Sequence, residues 1–235
     1  MKKKAVLVIA PIMPDSSEMA GIAASLSFLT PCCDLEFLDP LTIIDQSLPD
    51  TAYYEAWQQQ FADYSGQYDA FIGFAFGGVI LQQCFSVLEN YSRPVLLLSA
   101  PTFADDTLSR TLGQVITCCE ADQLEQGLSL LYRHVYHPNP QPFSDWSSLD
   151  RPDAKKRMIT GLRRVLATDS SAIVRSTTHP HLHLIGACSD LVNANNVIPP
   201  ATGKLVIVPK ASMRVLQDNP SFCKPLIQEV LCGET

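Results

Sequence analysis

The stretch "GFAFGG", Gly73 to Gly78, decides how this chain is read. It follows the short apolar run "YDAFI" and precedes "VILQQCFSVLEN", whose apolar spacing predicts a helix. A strand, a glycine-flanked tight turn and a helix in that order present the middle residue of the turn at the end of a sheet. That residue is Ala75, and a methyl group can neither attack a carbonyl nor carry an acyl group. The turn is therefore either a site with no nucleophile or an ordinary strand–helix connection.

Working outward, apolar runs rich in β-branched residues recur with helical stretches between them. "KAVLVIA" (4–10), "DLEFLD" (34–39), "DAFIGF" (69–74), "RPVLLLS" (93–99), "HLHLIG" (181–186) and "KLVIVP" (204–209) read as strands. Their apolarity is continuous rather than alternating, as in strands buried on both faces of a parallel sheet. Strands alternating with helices predict βαβ units: an α/β fold with a doubly wound, mostly parallel sheet of about six strands. The last helix is signalled by Asp218 or Asn219 as N-cap and Pro220 in its first position. From Ala100 to about Thr178 no strand is read. Amphipathic helices surround a Pro-, Ser- and Asp-rich loop at 138–153. An insertion of that size between two strands reads as a helical cap. The expected division is a core of 1–99 and 179–235 and a cap of 100–178.

Bulk properties narrow the function classes. With 235 residues, 46% of them hydrophobic, there is room for one sizeable α/β domain. A net charge of −7 argues against nucleic acid, whose phosphates favour a basic face. No window approaches the roughly 18 apolar residues of a membrane span. "MKKKAVLVIAPIMP" imitates a secretory signal, but its apolar run ends at Pro11, short of the roughly 7 to 15 residues an h-region needs. A first strand and a cytoplasmic protein are the expectation. The eight cysteines include the adjacent pairs Cys32–Cys33 and Cys118–Cys119 and no C-x-x-C. Reduced, mostly buried thiols follow, with neither a metal site nor a disulfide framework and no cofactor.

The order of these parts resembles the α/β-hydrolase superfamily, specifically its small esterase and thioesterase members, over nearly the whole chain. In that family the turn is a nucleophile elbow, G-x-S-x-G, and Ala75 stands where the serine would be. The loop after the final strand, which the resemblance implies should carry the base, reads Val208-Pro209-Lys210-Ala211-Ser212-Met213. Met213 occupies the imidazole position, and a thioether cannot exchange a proton near neutral pH. The acid position falls on Ser189, or on Asp190 if the loop shifts by one; a turn or cap residue is the preferred reading of Asp190. The first-strand loop is Ala10-Pro11-Ile12-Met13-Pro14, in which the two prolines have no N–H to donate. Phe76 keeps its backbone N–H. His179, His181 and His183 alternate at a strand entry, and His134 and His137 lie in the cap region, but no histidine follows the final strand.

The resemblance thus implies a hydrolase fold with a degenerate triad: Ala75, Ser189 or Asp190, and Met213. The old pocket would retain an apolar bed of Ile12, Met13, Phe74, Phe76 and Met213, with Arg214 beside it. The first reading is a non-hydrolytic pseudoenzyme that binds an acyl-type or hydrophobic small molecule, or forms a hetero-oligomer with an active hydrolase homologue. The second is an acyl esterase or thioesterase in which Ala75 replaces the serine and His134 or His137 supplies a base. The third is a repurposed lyase or cyclase using Tyr132, Arg133, Arg214 and Asp190. The cap leucines Leu124, Leu128 and Leu131, with Val135, either pack on the core or pair with another chain.

Overall fold

The computed structural model describes residues 2–142 and 145–233; Met1, residues 143–144 of the Pro-, Ser- and Asp-rich loop, and residues 234–235 lie outside the described residues. Six strands form one sheet: β1 (Lys4–Ile9), β2 (Cys33–Leu38), β3 (Ala70–Phe74), β4 (Val95–Leu98), β5 (His181–Gly186) and β6 (Gly203–Val208). Their order is β2-β1-β3-β4-β5-β6, and all five pairings are parallel. Every pairing therefore needs a crossover, and helices pack on both faces. The imitation of a secretory signal is the inner strand β1, flanked by β2 and β3.

The continuous apolar runs have a direct explanation. Leu7 and Ile9 of β1 face one core with Tyr53, Trp57 and Phe61 of the helix Asp50–Tyr64. Val6 and Val8 face a second core with Leu26, Leu29, Ile227 and Leu231. Both faces of the central strands are dry, so neither phase of the alternation can be polar. The last helix, Pro220–Cys232, begins with Asn219 as the N-cap, whose side chain accepts from the Phe222 N–H. Asp218 instead accepts from the Ser212 N–H and braces the loop after β6.

Between β4 and β5 lie the helices Asp106–Glu120, Leu124–Tyr136, Arg151–Ala167 and Ser171–Ser176. Leu124, Leu128 and Leu131 are buried inside this same chain, in the larger core. Two arginines on the buried side of Arg151–Ala167 fix that helix to the sheet layer. Arg157 donates through Nε to the Met13 carbonyl at 2.9 Å and pairs with Asp39 at 2.7 Å, both side chains nearly buried. Asp39 uses its other oxygen to cap the short helix Pro40–Ile43 through the Leu41 N–H. Arg164 pairs with Asp50, donates to the Gln46 and Leu48 carbonyls, and lies 4.0 Å over the Tyr53 ring. A buried guanidinium is tolerable only when its donors are filled in this way.

One expectation fails. Cys32 and Cys232, 200 residues apart, are joined as a disulfide, because the last helix ends beside the turn that leads into β2. The buried Cys33 sulfur lies 3.8 Å from that of Cys32. The three sulfurs lie within 4.8 Å of one another, but two of them form the disulfide, which leaves a single thiol.

The strand–helix turn depends on close backbone approach. A Cβ on Gly77 would collide with the Ile9 carbonyl of the neighbouring strand, whereas one on Gly113, inside the helix Asp106–Glu120, would meet nothing. Gly77→Ala is expected to lower the unfolding free energy by more than about 3 kcal/mol. Gly113→Ala should instead raise it by up to about 1 kcal/mol through helix propensity alone. Urea unfolding of the two variants checks the contrast; equal effects would mean the turn is not packed as described.

Candidate functional site

At the end of β3 the chain turns sharply at Ala75, with φ 45° and ψ −109°, into the helix Phe76–Gln83. An alanine in that region is strained by about 1–3 kcal/mol. Neighbouring hydrogen bonds hold it there. The Ala75 N–H donates to the Leu98 carbonyl of β4, and its own carbonyl accepts from the Gly78 and Val79 N–H groups. Phe76, the first helical residue, has no intrahelical acceptor for its N–H.

Above this turn lies a cavity of about 620 Å³, within the size range of small-molecule sites. Ile12, Met13, Phe74, Ala75, Phe76, Met213 and Arg214 all line it, joined on the insert side by Leu112, Leu131, Tyr132 and Val165. Met13 and Phe76 are otherwise buried, so they also serve as core. The loop that carries Met213 is held in place by Ser99, whose hydroxyl donates to the Met213 carbonyl at 2.7 Å. Pro11, in the first-strand loop, lines the cavity as well, and Arg157 fixes that loop through the Met13 carbonyl.

The wall holds no histidine and no cysteine among the described residues. Ser189 is buried, and its hydroxyl accepts from the Val192 N–H as a turn cap. Asp190 sits in the bend after β5, as a turn residue, and its carboxylate meets Nδ1 of His134 at 2.7 Å. That imidazole comes from the last turn of the helix Leu124–Tyr136, 56 residues earlier in the chain. Neither His134 nor Asp190 lies on the cavity wall, nor do His137 and Arg133. Tyr132 does, and its hydroxyl donates to a Glu18 carboxylate oxygen at 2.7 Å. Burial is the main cause that raises the pKa of both groups. Arg214 stacks its guanidinium 4.1 Å over the Tyr136 ring.

Among the described residues the alternating histidines belong to no cluster of three or more potential metal ligands. His181 bonds through Nδ1 to the His179 carbonyl, and His183 accepts from the Ala100 N–H. Phe85 packs on the rings of His179 and His181. Burial pushes His181 down to about 4 and His183 down to about 3.

The fold can now be set beside known structures. An α/β hydrolase enzyme from a Medee basin deep-sea metagenome library superposes with a TM-score of 0.75 at 12% identity, over 100% of this chain and 91% of that one. The chain has the α/β-hydrolase fold. A hydrolase from Oleispira antarctica is similar over 100% of this chain and 93% of its own, with a TM-score of 0.68 and 13% identity. A serine hydrolase from a Cycloclasticus bacterium that degrades polyaromatic hydrocarbons reaches 0.67 at 14% identity, over 99% of this chain and 91% of that one. No protein-family model and no curated protein matches the sequence. The six-strand, mostly parallel sheet read from the sequence matches this fold, with every pairing parallel.

Glu18, Ser99, Arg157 and Arg164 are absent from the residues the sequence singles out. Only the arginines left a trace: two cations seven residues apart on the side of Arg151–Ala167 that also buries Gly161, Met158 and Val165.

The buried histidines set a pH dependence. Their native pKa values lie below the unfolded value of about 6.5, so below that pH the unfolded chain binds protons that the native chain refuses. Stability present at pH 7 is expected to fall between pH 6.5 and 5 by up to about 2.7 kcal/mol per pH unit from the two groups together. His183→Gln should remove roughly half of that slope in urea unfolding at pH 7, 6 and 5; an unchanged slope would contradict the assignment.

Proposed function

We propose that this chain is a non-hydrolytic binding protein that holds an acyl-type or otherwise hydrophobic small molecule in the cavity above Ala75. The carrying observation is the wall itself: a strained elbow whose central residue is alanine, facing a largely apolar space with no imidazole or thiol among the described residues that line it. In this reading residues 100–178 form a cap over a core of 1–99 and 179–235. Ala75, Ser189 and Met213 are triad positions that no longer do chemistry. Met213 then serves as pocket lining, and Ser189 as a turn cap. A small ligand is preferred to a partner hydrolase because the insert's apolar side chains are buried in the chain rather than displayed on its outside. We place the protein in the cytoplasm, since the N-terminal apolar run is a strand; Cys32–Cys232 is the feature that favours a more oxidising compartment.

A second reading has one specific observation behind it. Asp190 and His134 form a carboxylate–imidazole pair, the orienting half of a hydrolytic triad, with the imidazole supplied by the insert. In that reading the chain is an esterase or thioesterase frame lacking only its nucleophile. The pair's position off the cavity wall weighs against it. A lyase keeps only Tyr132 and Arg214 of its four residues at the cavity.

A fluorophosphonate serine-hydrolase probe separates the readings. Neither the protein nor Ala75→Ser is expected to label above a heat-denatured control. Strong labelling confined to Ala75→Ser would overturn the proposal, because a working base and oxyanion hole would then have to reach position 75.

A further inference from the structure

We infer that the cavity selects an amphiphile whose head group is a protonated or quaternary amine, seated against the Glu18 carboxylate and the aromatic faces of Tyr132 and Trp146; this rests on the ligand-binding reading above. Glu18 stands on the cavity wall, and its carboxylate has a single side-chain hydrogen bond among the described residues, from Tyr132. No described Lys, Arg or His nitrogen lies within 4.0 Å of it, although seven other carboxylates of the chain have a Lys or Arg partner at that range. Asp15, one helical turn away on the same wall, adds a like charge and spends its own side chain on the Ser17 N–H. A half-buried carboxylate in this position is stabilised by a proton or by a cation brought from outside.

The surroundings favour the cation. Tyr132 and Trp146 stack with centroids 6.1 Å apart at 18°, and both line the cavity. Aromatic faces beside a carboxylate attract an alkylammonium head through the ring quadrupole as well as the charge. The wall's one guanidinium, Arg214, is already placed over Tyr136, against three wall carboxylates: Asp15, Glu18 and Asp145. A carboxylate head would therefore enter a space of its own sign. Beyond the head, Leu131, Leu112 and Val165 offer the tail an apolar lining.

Three decyl compounds with equal tails test this: decyltrimethylammonium, decanol and decanoate, each titrated calorimetrically into the whole protein at pH 7.5 and below micellar concentration. The ammonium compound should bind about tenfold more tightly than either other. Glu18→Gln should erase that advantage while leaving decanol unchanged, which also shows that the variant is folded. Decanoate binding as tightly as the ammonium compound, or a preference that survives Glu18→Gln, would overturn the head-group inference while leaving the cavity a ligand site. Failure of all three to bind would overturn the ligand-binding reading along with it.

Discussion

The backbone at Ala75 is the constraint on which the rest of the molecule turns. Its positive φ is sterically expensive, and it persists because structure on every side of it is fixed. β4 receives its N–H, the helix Phe76–Gln83 returns two hydrogen bonds to its carbonyl, and Gly77 lets that helix press against the Ile9 carbonyl. Remove any of these and the helix cannot sit across the sheet as it does. The turn also sets the floor of the cavity, since Phe74, Ala75 and Phe76 all face it. Strain of this kind usually accompanies chemistry at the strained residue. Here the packing and hydrogen bonds around Ala75 are enough to retain it.

A second set of constraints holds the roof. Arg157 ties the insert to Met13 and Asp39, Arg164 ties it to Asp50 and the loop before the helix Asp50–Tyr64, and Gly161 lets Ile12 lie against the insert helix. On the other side, Tyr132–Glu18 and His134–Asp190 join the helix Leu124–Tyr136 to the core. Exposed pairs such as Lys155–Asp122 add little by comparison, because water and salt screen them. The cavity is therefore largely preformed, which lowers the ordering cost of binding a ligand there.

The elements of this fold were plain in the sequence. β5 spans the same residues as its apolar run, and the other five strands begin or end within two residues of theirs, because a strand dry on both faces leaves an unbroken signal. Asn219 and Pro220 marked the last helix through local capping chemistry that needs no partner elsewhere. The pocket bed was legible only through the resemblance, since nothing local says that Ile12 and Met213 meet. What stayed hidden depends on pairs distant in the chain. Glu18 meets Tyr132 across 114 residues, Asp39 meets Arg157 across 118, and Cys32 meets Cys232 across 200. No periodicity records such meetings. The partner of Asp190 stayed hidden for the same reason: it comes from a helix that sequence spacing does not bring near.

An alanine elbow and a methionine on the wall of a largely apolar cavity are the observations behind the proposal that the chain keeps a ligand rather than transforms one. Native mass spectrometry of the protein purified from its own cells tests this most directly, compared with Ala75→Phe, which fills the cavity floor. The account expects a one-to-one adduct of unaltered small molecule on the protein and its loss from Ala75→Phe. A bare chain in both samples, together with turnover of an added ester by the unmodified protein, would contradict it.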